Sequence, residues 1–269
     1  MNDWPKITVV TPSYNQAEFL ERTILSVLEQ GYPNLEYIVI DGGSSDQSVD
    51  IIRKYASRLA YWVSEADDGQ SAAINKGLRR ATGDWVGWQN SDDVFLPGAL
   101  MAVGRAIKAA PKVGLVIGNM TLIDANDHEL RDVRYVTPTY GSLLAERMVL
   151  TNQAAFWRRD LHDRIGYLNE ELHYAFDYEW FLRLTKATKA RHVNAMLGAL
   201  RIHGETKTSL YADRFRSEDA LILQGVQQPR YLKALYKARR LLLMLAQGEV
   251  AYVLRGCVRR LRGKGGDLY

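Results

Sequence analysis

ITVVTPSYNQAEFLERTILSVLEQGYPNLEYIVIDGGSSD, residues 7–46, contains a complete strand-helix-strand unit. The run at 7–11 is apolar and β-branched and stops at Pro12, the pattern of a strand buried on both faces. Residues 17–30 then place Phe19, Leu20, Ile24, Leu25, Val27 and Leu28 at helical spacing, and Gly31 ends the helix. A second continuous apolar run at 35–40 closes on Asp41-Gly42-Gly43, and Asp46 is a good N-cap for a helix over 47–55.

The same alternation continues outward. It predicts a strand at 60–63, a helix at 69–81, a strand at 85–88, a helix opened by Pro97 as its first residue, and a strand at 113–117. Five such alternations over 6–118 imply an α/β fold, with a Rossmann-like, mostly parallel central sheet and helices on both faces. In such sheets ligands sit beyond the carboxyl ends of the strands. The polar clusters 11–15, 41–46, 64–70 and 89–93 all fall there. After 119 the pattern changes to a hairpin at 120–124 and 130–135. Helices follow at 142–148, 159–165 and 178–188, then short strands at 192–195 and 197–203. No linker or repeat divides 1–210, so the second half completes the same domain, and Pro229 opens two helical stretches at 231–246 and 249–261.

A chain of 269 residues with 47% hydrophobic and 25% charged residues is neither disordered nor low-complexity. Its single cysteine, Cys257, excludes an internal disulfide and a multi-thiolate metal site. Residues 1–4 do not read as a secretory signal, and no stretch reaches the ~18 apolar residues of a membrane span, so the expected compartment is the cytoplasm. The charge is uneven: residues 229–269 carry a net +8 and the remainder −4. The acidic body argues against a nucleic-acid partner, whereas a basic, amphipathic helical tail suits the inner face of an anionic membrane. Packing of the tail on the domain is the alternative.

Asp92-Asp93 follows the predicted strand at 85–88. A hard divalent cation takes oxygen ligands, commonly one or two carboxylates plus substrate phosphates. Capping of the following helix is the plainer role for this pair. Around it stand Val9 to Asn15, Ile38 to Asp46, Asp68 to Gly77, Ala81 to Asp84, and Asn90-Ser91-Asp92-Asp93 with Pro97 to Leu100. In this order and spacing the blocks resemble the inverting, nucleotide-sugar-dependent glycosyltransferases of family 2, over roughly residues 5–210.

That resemblance implies a GT-A fold in 1–228, with nucleotide-sugar binding at about 5–119 and the acceptor side at about 120–210. It implies nucleotide contacts from Thr11, Ser13, Tyr14, Asp41, Asp67, Gln70 and Asp92, with Asp68 a neighbouring candidate. The metal, Mn²⁺ or Mg²⁺, falls to Asp92 and Asp93, with Asn90 standing where the family often has Asp. Asn152 and Gln153 would meet the donor sugar. His203 would touch metal or diphosphate, and Lys207 would grip the diphosphate. Inversion needs a base opposite the leaving group to take the acceptor's proton. Asp177 is that base, and it also suits the N-cap of the helix beginning at Tyr178. Glu179 is the runner-up. The donor is a nucleotide-sugar, and the acceptor a sugar or lipid-linked saccharide of bacterial surface polysaccharide or glycoconjugate synthesis. A nucleotidyltransferase and a non-catalytic nucleotide-binding module are the competing classes.

Overall fold

A computed structural model describes residues 3–204, 211–224, 226 and 229–261. Four parallel strands form one half of its sheet: β1 (Ile7–Ser13), β2 (Leu35–Asp41), β3 (Tyr61–Ser64) and β4 (Trp85–Trp88). Helices α1 (Ala17–Leu28), α2 (Ser48–Tyr55) and α3 (Gln70–Arg80) connect them. Every residue of β1 and β4 is buried, as their unbroken apolar runs require. Asp46 serves two helices at once. Its Oδ1 accepts from the Ser48 amide (2.9 Å) and its Oδ2 from the Ala17 amide at the start of α1 (3.0 Å).

The chain continues through β5 (Val94–Phe95), α4 (Ala99–Ala109), β6 (Leu115–Ile123), β7 (Glu129–Val133) and α5 (Tyr140–Glu146). Then come β8 (Ala155–Arg158), α6 (His162–Ile165), α7 (Phe176–Ala187) and β9 (Ala190–Arg201). The strand order is β3-β2-β1-β4-β8-β6-β9-β5, with β7 paired to β6. Strands β8, β5 and β7 run antiparallel to their neighbours.

The expected mostly parallel GT-A sheet is present, with four local differences from the sequence reading. The fifth strand expected at 113–117 is the longer β6, and the four-residue antiparallel β8 lies between it and β4. The two strands expected at 192–203 are one, β9, with register shifts opposite Ile117–Met120 that absorb the change of face. Gly98, with φ +79°, precedes α4 instead of Pro97 beginning it. Helix α7 begins at Phe176, so Asp177 lies in its first turn and is not its N-cap.

Three further helices complete the described chain: α8 (Ala212–Ile222), α9 (Arg230–Ala246) and α10 (Val250–Leu261). The sequence reading left α8 unassigned. Helix α9 packs on α5: Met244 is buried, the Tyr236 ring meets Gly141, and Arg240 pairs with Glu146 at 2.9 Å. Among the described residues no helix is long and apolar enough to cross a membrane.

Candidate active site

The carboxyl ends of β1, β2, β3 and β4 open on one edge, and their loops are stitched together. The Gly42 amide donates to Ser13 O (2.9 Å), and Asn15 Oδ1 accepts from the Ser45 amide (2.9 Å). Asp41 is fully buried within this seam. Its Oδ2 accepts from the Gly43 and Ser44 amides and from Ser64 Oγ (2.7 Å), and its Oδ1 from Ser44 Oγ (2.6 Å). These bonds make Asp41 the tie that holds the loop after β2 against the end of β3. The Thr11 hydroxyl is likewise buried against Tyr37 (3.0 Å). The Ser13 hydroxyl is buried with no partner among the described residues, and the Tyr14 ring is 63% exposed beside it. Asp67 is half-buried across the loop, its Oδ1 accepting from the Gly69 amide (2.9 Å). A Cβ on Gly42 would lie 2.8 Å from Asp67 Oδ2, so only glycine there lets this carboxylate approach. Asp68 beside it is exposed.

The block after β4 is built around a buried carboxylate. Asp93 Oδ1 accepts from the Arg201 amide (2.9 Å). Its Oδ2 accepts from Gln153 Nε2 (2.6 Å) and Asn90 Nδ2 (3.0 Å). Burial, and then the negative charge of Asp92, push the Asp93 carboxyl up to about 8. Asp93 thus ties the β4 exit to the Asn152–Ala154 turn through Gln153 and to the end of β9 through Arg201. Asn90 explains itself in the same geometry. Its amide donates to Asp93 while its carbonyl accepts from Gln70 Nε2 (3.0 Å), and a carboxylate could not do both.

Asp92 faces outward instead. Its Oδ2 lies 3.1 Å from His203 Nε2, and the His203 ring packs on Phe19 of α1 with centroids 4.7 Å apart. Arg201, buried at the end of β9, donates to Asp92 O (2.7 Å) and Asp124 O (3.0 Å) and pairs with Asp127 (2.6 Å). Thr23 of α1 donates to Ser91 O (2.9 Å) and Asp93 O (2.7 Å). The Asp92 peptide is therefore held from two sides. A carboxylate and an imidazole suit a divalent cation that takes its other ligands from phosphate and water. Among the described residues no cluster of three or more such side chains supplies a complete cage.

The turn Asn152–Ala154 lies against this block through Gln153. Asn152 Nδ2, Gln153 Oε1 and both amide atoms of Gln89 are buried with no partner among the described residues. Lys207 lies outside the described residues.

Trp88, the last residue of β4, packs on Phe176 (6.3 Å) and stacks on Phe181 (6.0 Å), bringing the start of α7 beside the β4 exit. Asn75 of α3 ties down the loop leading to α7, bonding the amide and the carbonyl of Leu168 (3.0 and 2.9 Å). Asp177 is half-buried, and its Oδ1 accepts from the Tyr178 amide (2.7 Å). Burial, aided by the carboxylates of Asp219 and Glu218, pushes its pKa up to about 7. Glu179, the runner-up, is spent on Arg183, with both oxygens at 2.6 Å from the guanidinium.

Sequence reasoning missed Arg201 and Glu218. Arg201 carried a signal, being the one charged residue in the apolar run 197–202. Glu218 accepts from the amides of His173, Tyr174 and Ala175 at 2.7–2.9 Å and so caps the start of α7. It carried none, because its helix was not recognised.

The family model for glycosyl transferase family 2 matches residues 8–168. An uncharacterized glycosyltransferase of Mycobacterium tuberculosis is 34% identical over 190 residues, 68% of this chain and 70% of that protein. Among solved structures, S. aureus TarS superposes with a TM-score of 0.66 at 19% identity, covering 89% of this chain. The present chain spans only 43% of that TarS chain, and TarS residues 1–349 have been solved with UDP-GlcNAc. The mannosyltransferase PcManGT of Pyrobaculum calidifontis, in complex with GDP-Man and Mn²⁺, superposes with a TM-score of 0.64 at 22% identity over 88% of this chain and 70% of its own.

Proposed function

The chain belongs to glycosyl transferase family 2, and from that premise we propose an inverting transfer of a sugar from a nucleoside-diphosphate sugar to an acceptor hydroxyl, dependent on Mn²⁺ or Mg²⁺. The observation that carries the proposal is the Asp92–His203 pair, 3.1 Å apart at the β4 exit, with the start of α7 packed on Trp88 at the end of the same strand. Asp177, with a pKa of about 7, stands at the start of α7.

Ser13, Tyr14, Asp67 and Gln70 receive the nucleotide, and Asn152 and Gln153 the donor sugar. Asp92 and His203 would hold the cation, which would supply positive charge to the diphosphate oxygens of the leaving group. Asp177 accepts the acceptor hydroxyl's proton as that oxygen bonds to the anomeric carbon. The bond from that carbon to the phosphate oxygen breaks on the opposite face, and the nucleoside diphosphate leaves with the electron pair. A carboxylate with a pKa near 7 is both partly free to act and basic enough to accept. The donor class is supported by UDP-GlcNAc and GDP-Man in the two structural neighbours, and the metal by Mn²⁺ in one. The acceptor is a saccharide, lipid-linked or free, of a bacterial surface polysaccharide or glycoconjugate, met at the cytoplasmic face of the membrane.

A thermal-shift screen against UDP, GDP and dTDP with Mn²⁺ tests the reading. One nucleotide should raise Tm in a metal-dependent way, and its sugar conjugate should release nucleoside diphosphate on addition of acceptor. Release of pyrophosphate from a nucleoside triphosphate instead would replace the proposal with a nucleotidyltransferase.

A further inference from the structure

We infer that α9 and α10 form an interfacial anchor that lays this protein on an anionic lipid surface. Helix α9 has two apolar faces. The inner one packs on α5 through Tyr236, Met244 and the Arg240–Glu146 pair. The outer one carries Tyr231, Leu235, Leu241, Leu242 and Leu245, all exposed, with Tyr231 at 70% and Leu242 at 67%. At 100° per residue these five fall within an arc of about 120° that faces away from the domain. Helix α10 repeats the device. Val250, Leu254, Val258 and Leu261 are exposed and share an arc of about 80°.

Soluble proteins rarely leave so continuous an apolar face in water. The charges around it select its cover. Lys237 borders the stripe on α9 and Arg255 borders that on α10, and both are exposed, as is Lys233 elsewhere on α9, within a segment of net +8. A second copy would bring two such segments face to face, which like charge opposes. An anionic bilayer meets both requirements, taking the leucines below the headgroups and the cations among them. Neither helix can span, so the pair lies in the interface plane. The anchor rests on the fold alone. Its consequence for the acceptor, that the saccharide is presented at a bilayer by a lipid, rests on the function proposed above.

Flotation of the full chain with vesicles tests the anchor. The protein should bind equimolar phosphatidylcholine and phosphatidylglycerol, bind phosphatidylcholine alone weakly, and lose anionic binding as salt rises. Leu242→Glu with Leu254→Glu should lower partitioning by about a hundredfold or more. Lys233→Gln with Lys237→Gln, which spares the apolar face and guards against misfolding of the first variant, should lower it about 25-fold, near fivefold per charge. Both variants should keep the wild-type Tm and nucleotide binding, so failure of the anchor and failure of the catalytic reading give separate signals. Wild-type partitioning in both variants would overturn the inference. So would a wild-type dimer that ignores vesicles, which would make the stripe a self-interface.

Discussion

Replacing Arg201 by Met removes a buried guanidinium while nearly conserving volume, so cavity formation contributes little. The loss falls on two carbonyls, Asp92 O and Asp124 O, which surrender donors at 2.7 and 3.0 Å. Each buried acceptor left unsatisfied costs about 1–3 kcal/mol. Asp127, with a side chain 43% exposed, regains water and adds little. The sum is about 3 kcal/mol, which in a domain of this size lowers Tm by roughly 6–12 °C. The same change frees the Asp92 peptide that faces His203, so the apparent affinity for Mn²⁺ should fall about 10–100-fold, as it does when a group orienting a metal ligand is lost. Calorimetry gives the first number, and the Mn²⁺ dependence of donor turnover, at a temperature where the variant is folded, gives the second. A Tm within about 2 °C of wild type would refute the energetic reasoning. A lowered Tm with unchanged metal dependence would refute the link from Arg201 to the site.

Two further outcomes follow from the same coordinates. Gly198 lies against the Gln153 carbonyl so closely that any Cβ must displace it, so Gly198→Ala should cost about 1–3 kcal/mol by denaturant unfolding and raise the donor KM through Asn152 and Gln153. His162 is buried and titrates at about 4, below its ordinary 6.5, because burial disfavours the imidazolium. It accepts from Trp157 Nε1 (3.0 Å) and lies 3.0 Å from Gly166 O through Nδ1. The unfolded chain binds that proton first, so this contribution is intact above 6.5 and is lost as pH falls toward 4. About 3 kcal/mol of acid destabilisation should therefore be missing in His162→Gln, measured as the difference between the two unfolding curves.

The parallel half of the sheet was legible because its strands are buried on both faces and its helices on one, so periodicity alone separates them. Strand β8 was not: Ala-Phe-Trp-Arg is too short to show a period, and its place between β4 and β6 is a tertiary choice. The polar blocks marked the strand exits, but not which side chains turn outward. The hydrogen bonds that bury Asp41 and Asp93 were not legible, because their donors come from up to 108 residues away. The tail read equally as packed or as membrane-facing, and α9 packs one face on α5 and leaves an apolar one exposed.

The central claim is that a cation-bearing wall and a proton-accepting wall act on one sugar. The pH dependence of kcat/KM for wild type and Asp177→Asn, with the cognate donor and saturating Mn²⁺, tests it most directly. Wild-type activity should rise with pH through an apparent pKa near 7, because burial and the neighbouring carboxylates lift that group. The variant should lose that limb and about 10²–10⁴ of the rate while still binding the nucleotide. A variant that turns over within about tenfold of wild type, with the same acidic limb, would contradict the account.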